Sequence, residues 1–277
     1  MELKGPSIRT AVRNSCKANA ARLIELLKSQ PDPYVDVDTL PPGLVFIQSF
    51  NPEDAHDVIS PTWYFPPIPA ASLAKWPINP SYYYNRETLD LMLVDYDPDE
   101  PIPVGHNYPS CAADRARELM QDMTGLFATT RRKIKMSLIE RTNWEKVLPS
   151  GNSFLSRLSL LVNDCGPVSW SSACYENVSN ANNTSPHIIL TTSQEFDSSP
   201  ENHLFVGELA PIISAISNRL EQPEFQDMTY FPYNQALQLS FSGPQSGRIL
   251  QWCNTSKGTF EIKQSALYSF EKAGAAP

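Results

Sequence analysis

No apolar stretch of this chain approaches the roughly 20 residues that a membrane-spanning helix needs. No apolar leader core follows Met1, so the expectation is a soluble, intracellular chain. Close cysteine pairs are missing as well. The five cysteines stand at 16, 111, 165, 174 and 253 and form no C-x-x-C. Their odd number and scatter point to reduced thiols and a cytoplasmic location rather than a disulfide framework. Basic charge is in deficit: the net charge is −8, which argues against general nucleic-acid binding. There is no P-loop, no G-x-G-x-x-G and no G-x-S-x-G, which removes the usual phosphate cradles and the strand-to-helix serine elbow. Internal repeats and low-complexity tracts are also missing.

What is present is a globular composition, 41% hydrophobic and 19% charged, over 277 residues. That length can bury a sizeable core in one large domain or two small ones. The charge falls in blocks. Residues 1–30 carry six basic and two acidic side chains, residues 31–110 two and twelve, residues 111–160 nine and five, and residues 161–277 five and eleven. Attraction between blocks of opposite sign predicts that the acidic second block lies near the basic first and third.

Residues 7–29 have the spacing of an amphipathic helix. Ile8, Ala11, Val12, Cys16, Leu23, Leu26 and Leu27 recur on one face, with Arg9, Arg13, Lys17 and Arg22 mostly off it. Pro6 suits its first turn and Pro31 stops it. An arginine-rich, acid-poor start is also the composition of a mitochondrial transit peptide. The plainer reading is a helix packed on the domain.

Residues 31–110 hold fifteen of the twenty-five prolines. Proline lacks the amide donor and fixes φ, so long helices and central strands are excluded there. The segment also concentrates aromatics, among them Trp63, Tyr64, Trp76 and Tyr83. Exposed, they make a polyproline-type ligand surface; buried, they cover the core, and burial is favoured because many exposed rings invite aggregation. These four are the aromatic ligand-binding candidates. Residues 89–94 read as a strand that stops at an acidic turn containing Asp95 and Asp97. Two carboxylates at a strand end can share a hard divalent ion, as in metal-dependent glycosyltransferases. Counted from Asp95 as a calcium loop, however, Glu100 replaces the needed glycine and His106 the closing glutamate. The prolines at 98 and 101 fit a stiff turn equally well. Asp95, Asp97 and His106 are therefore the catalytic candidates, with no metal or cofactor expected.

Further on, Ser110 suits a helix cap, with helix to about residue 123 and a possible interruption at Gly125. Residues 129–147 read as a second helix carrying the basic cluster 131–135, which has nuclear-localisation composition and is read first as a solvated helix face. From 151 the chain turns β-rich. Residues 187–192 read as a strand, and 204–220 as a short strand running into a helix with Pro211 near its start. Strands at 236–241, 248–253 and 259–263 are joined by loops at 242–247 and 254–258. Phe241, Ile249, Leu250 and Phe260 are expected in the core. Cys165, Cys174, His187 and His203 are too widely spaced for a structural zinc site. The loop 242–247 with Arg248 can hold an anion through backbone amides and the guanidinium. The competing reading gives Arg248 to a neighbouring carboxylate or carbonyl.

Ser240, Phe241, Gly243, Pro244, Gly247, Arg248, Ile249 and Leu250, followed by Leu267, Tyr268 and Phe270, form an S-F-x-G-P-x-x-G-R-I-L run with an L-Y-x-F finish. This closing segment resembles that of a family of filamentous-ascomycete proteins without an assigned activity, and covers roughly the last 35 residues. The resemblance implies no activity to carry over.

The sequence thus predicts one α+β domain: N-terminal and central helices on a mainly antiparallel C-terminal sheet, with the proline-rich segment wrapped around it. Two functions are expected. The first is a soluble binding or interaction protein for a small molecule or protein, without nucleic-acid or membrane partners. The alternative is a small-molecule enzyme of fungal secondary metabolism with an aromatic-lined pocket, or a divalent-metal-dependent transferase using Asp95 and Asp97.

Overall fold

The computed structural model describes residues 6–54, 70–77, 112–130, 135–147, 170–177, 185–196, 203–225, 235–255 and 257–271. The fold is α+β. Among the described residues the α-helices are α1 (Pro6–Lys28), α2 (Ala70–Lys75), α3 (Ala112–Ala128), α4 (Leu138–Thr142) and α5 (Val206–Glu221). The strands there are β1 (Tyr34–Asp36), β2 (Val45–Ser49), β3 (Trp144–Val147), β4 (Trp170–Asn177), β5 (Ile188–Gln194), β6 (His203–Phe205), β7 (Gln235–Ser242), β8 (Ser246–Asn254), β9 (Phe260–Gln264) and β10 (Tyr268–Ser269). Among the described residues no helix is long and apolar enough to cross a membrane.

The main sheet runs β2-β9-β8-β7-β5-β4-β3, with β10 also on β8. Its pairs are antiparallel except β2 with β9 and β5 with β7. A parallel pair cannot be joined by a hairpin. The connection from β5 to β7 accordingly carries α5 across one face of the sheet. One rung facing α5 is Ile188, Ala236, Trp252, Ile262 and Ile47 in register across five strands. On α5 the residues Leu209, Ile212, Ile213, Ile216 and Leu220 are buried, and they join that rung in one core. Helix α1 lies over α5 and adds Val12, Cys16, Ala20, Leu23, Ile24 and Leu27 at three- and four-residue spacing. Burying each larger side chain contributes on the order of 1.5–3 kcal/mol. The opposite face of the sheet takes α3, whose Leu119 and Met120 pack on Phe241 with Met123, Leu239 and Phe270.

Helix α1 is fixed by polar contacts as well. Asn19 Nδ2 donates to the Gly258 carbonyl at 2.9 Å, and Ser15 Oγ to the Lys257 carbonyl at 3.1 Å. Gly258 has φ +82, and a Cβ there would lie 2.5 Å from Ser15 Oγ. The β8–β9 loop therefore requires glycine both for its backbone and for its approach to α1.

Several sequence expectations change in detail. Among the described residues of 129–147, the helical reading holds for α4; residues 131–134 of the basic cluster lie outside the described residues. Ser137 caps α4 by accepting the Glu140 amide, and Glu140 accepts the Ser137 amide in return. Asn143 then adopts φ 56, ψ 29 and ends α4. Trp144–Val147 continues as β3, paired with β4, because an extended edge position offers its backbone a ladder that a helix would forgo. Gly125 does not interrupt α3, which runs through it to Ala128. Phe241, Leu250 and Phe260 are buried, but Ile249 is only half-buried. Adjacent strand residues point to opposite faces, so Leu250 and Ile249 cannot both face α5. The proline-rich stretch supplies β1 and β2; β2 is an edge strand, the position a proline-dense segment can take.

Two of the basic residues of α1, Arg13 and Lys17, meet the end of α5, while most of the acidic side chains of 31–110 lie outside the described residues. Arg13 is buried: its Nε and Nη2 donate to the Leu220 carbonyl at 3.1 and 2.7 Å, and its Nη1 to the Phe225 carbonyl at 2.9 Å. Lys17 pairs with Glu221 at 2.8 Å. Both cations sit at the C-terminus of α5, where unpaired carbonyls and the helix dipole favour positive charge. Arg13→Met should lower the unfolding free energy by about 2–3 kcal/mol in urea titration. A loss below about half a kcal/mol, the range of ordinary surface changes, would refute the cap.

Candidate functional site

The sheet face beneath α5 changes chemistry along its strands. At the start of β5 and β7 it presents Ile188, Leu190 and Ala236; towards their ends it presents Thr192, Gln194, Gln238, Ser240 and Ser242, all buried. Those ends lie beside the first turn of α5, the place where parallel α/β pairs usually receive an anionic ligand. Here the chain supplies its own anion. Glu208 is fully buried in that turn, and its Oε2 accepts the Phe205 amide at 2.9 Å. Arg248 Nε donates to Glu208 Oε1 at 2.8 Å, and Nη2 to Oε2, a bidentate pair. Arg248 Nη2 also donates to the His203 carbonyl at 3.3 Å, and the Phe205 ring lies 5.6 Å from the guanidinium carbon. Gln238 Nε2 donates to Thr192 Oγ1 at 3.1 Å and to the Glu208 carbonyl at 3.2 Å, and Gln194 Nε2 donates to Ser240 Oγ at 2.8 Å. Gly207 makes the fit possible, since a Cβ there would stand 2.6 Å from Gln194 Oε1 and 2.7 Å from Trp170 Cβ.

A second polar cluster sits at the other end of α5. Arg219 is fully buried, with its guanidinium carbon 5.0 Å from the Phe225 ring centre. Its Nη1 donates to Gln222 Oε1 at 2.6 Å and contacts Glu176 Oε2 at 3.4 Å. Burial pushes its pKa below the ordinary value, with Glu176 opposing; an arginine in that position still keeps its proton. Nearby, burial raises the Cys174 thiol to about 12. His187 is lowered to about 4, first by burial. Its Nδ1 accepts the Gln235 amide at 3.1 Å. Cys16 and Cys253 are also raised to about 12 by burial. None of the described thiols is paired in a disulfide.

Of the residues singled out from sequence, Arg248 is in the first cluster, given to a neighbouring carboxylate as the competing reading had it. Trp76 follows α2, and the Arg141 guanidinium lies over its ring at 4.3 Å. Asp95, Asp97, His106, Trp63, Tyr64 and Tyr83 lie outside the described residues, as do Cys165 and Cys111. His203 and Cys174 stand near opposite ends of the fold's core helix, and among the described residues no three His, Cys, Asp or Glu side chains group as metal ligands. Sequence reasoning missed Glu208, Arg219 and Arg13. The available signal for Glu208 and Arg219 was charge within a largely apolar helix, which also holds Ser214, Ser217, Asn218 and a terminal Glu221. No family model, curated protein or solved structure matches the chain.

Removing one member of a buried ion pair leaves the other uncompensated. Arg248→Met should cost about 3–5 kcal/mol in equilibrium unfolding. The double variant E208Q/R248M should lie closer to wild type than R248M does. A loss in the double equal to the sum of the losses in R248M and E208Q would show that the pair is not coupled.

His187 has a folded pKa below its unfolded value of about 6.5. Its contribution is present above pH 6.5 and is lost as pH falls towards 4, roughly 2–3 kcal/mol in all. Burial raises Glu118 and Asp122, groups that act in the opposite direction. The measurement is therefore a difference: between pH 7 and pH 4.5 the unfolding free energy should fall further in wild type than in His187→Gln. Parallel pH profiles would rule the histidine out.

Proposed function

We propose that this chain is a binding or interaction protein. The carrying observation is that the described groups best suited to chemistry are already held by the fold. Glu208 is tied to Arg248 and the Phe205 amide, His187 takes a backbone amide, and the Cys16, Cys174 and Cys253 thiols are buried and held far above the range of reactive thiolates. Polar groups used this way rigidify a scaffold and specify one packing. Their density beneath α5 suits a protein whose work is to present a fixed surface or pocket. Unpaired thiols are in keeping with a reducing, cytoplasmic location.

The test is reactivity of the native protein. Iodoacetamide and diethylpyrocarbonate at pH 7 should label Cys16, Cys174 and His187 only after denaturation. Denaturation without reductant should then release five titratable thiols, the full cysteine content. Any of these side chains reacting in the folded state faster than the free amino acid would mark an activated group and overturn the reading in favour of catalysis.

A further inference from the structure

At the last turn of α5 the fold leaves one strong hydrogen-bonding edge without an acceptor. Arg219 is fully buried, and its Nε and Nη2 find no hydrogen-bond partner among the described residues. Only Nη1 is engaged. Carbonyls at this end of α5 are engaged elsewhere: those of Leu220 and Phe225 accept from Arg13, and that of Arg219 itself accepts the Gln222 amide at 3.2 Å. Gln222 and the Phe225 ring together fix the plane of the guanidinium. Nε and Nη2 form one side of that plane, and their two parallel N–H bonds match the two oxygens of a carboxylate.

Among the described residues Arg219 also has no carboxylate at a good charge-assisted distance. Its one paired carboxylate, Glu176, is 27% exposed and stands at 3.4 Å, longer than a good charge-assisted contact. The other titratable neighbours are Cys174, His187 and the exposed Glu224. The first two are neutral at physiological pH, so among the described residues Glu176 and Glu224 are the negative charges facing the guanidinium. A buried cation in such surroundings calls for a close anion. A monocarboxylate supplies both the charge and the planar fork. A phosphate dianion would add a second negative charge beside Glu176.

We propose that the Nε–Nη2 edge of Arg219 is a binding site for the carboxylate of a small monoanionic ligand, held between α5, the end of β4 and the start of β5. The proposal rests on reading the chain as a binding protein and names the chemistry of what it binds.

The experiment uses the full chain and sodium acetate as the probe, against sodium chloride at matched ionic strength. Acetate should raise the urea midpoint. The folded-to-unfolded ratio should grow about tenfold once acetate exceeds its dissociation constant about tenfold, by mass action. Phosphate should act more weakly. Arg219→Lys keeps the charge but loses the fork, and should lose the acetate response. Because that variant can fail to fold, a second measurement uses wild type labelled with 15N-arginine. A buried Nε–H resonance should move with acetate, saturate, and stay fixed in chloride. A response that chloride matches would mark an adventitious ion only and overturn the proposal. So would an acetate response retained in Arg219→Lys, or buried arginine resonances unmoved by acetate. These failures leave native thiol and imidazole reactivity untouched, so the binding-protein reading stands or falls separately.

Discussion

Helix α5 is buried nearly all round: of its sixteen residues only Ser217 and Glu221 escape full burial. A helix in that position has no solvent to receive its polar side chains or its unpaired terminal amides and carbonyls. Every such group must be met by another part of the chain. Much of the remaining architecture follows from this. Strand β1 runs beside β6 and offers the Pro33 carbonyl to the Val206 amide. Glu208 turns back to the Phe205 amide, and α1 brings Arg13 to the last carbonyls. The sheet beneath changes from Ile188 and Leu190 to Thr192 and Gln194 as it passes from the end of the helix to its beginning.

The two ends of α5 are completed differently, and the difference carries the functional argument. At the N-terminus a carboxylate already lies against the helix dipole and is neutralised by a bidentate arginine, so the usual anion position of a parallel pair is filled from within. Buried pairs of this kind are costly to desolvate and are weak sources of net stability, but they penalise any packing in which the partners do not meet. Gly207 supports that specificity, since a larger residue would push α5 off Gln194 and Trp170. At the C-terminus the fold satisfies the carbonyls through Arg13 yet leaves one side of Arg219 unmatched. The same physical demand is closed by the chain at one end and only half met at the other.

Much of the element list was legible from local signals. Pro6 and the three- and four-residue spacing of apolar side chains mark α1. The strand-to-helix passage at 204–220 and the C-terminal meander were readable because turn residues bracket short alternating segments. Local signals failed where a backbone choice was settled by a distant partner. Trp144–Val147 has a helical look, but β4 offers it a ladder. Ile249 and Leu250 look alike in sequence, and only the pleat decides which of them faces α5.

The sequence by itself determined the class of fold, the helical and extended segments with strong periodicity, and the net acidic charge. Those properties depend on residues within a few positions of one another or on composition alone. Tertiary structure decided which charges became buried and with whom. Glu208 meets Arg248 forty residues later, and Arg13 reaches carbonyls more than two hundred residues away. Whether a given arginine is a solvated side chain, a helix cap or half of an ion pair is settled by desolvation and by the acceptors within about 3 Å of it. No spacing along the chain records those distances.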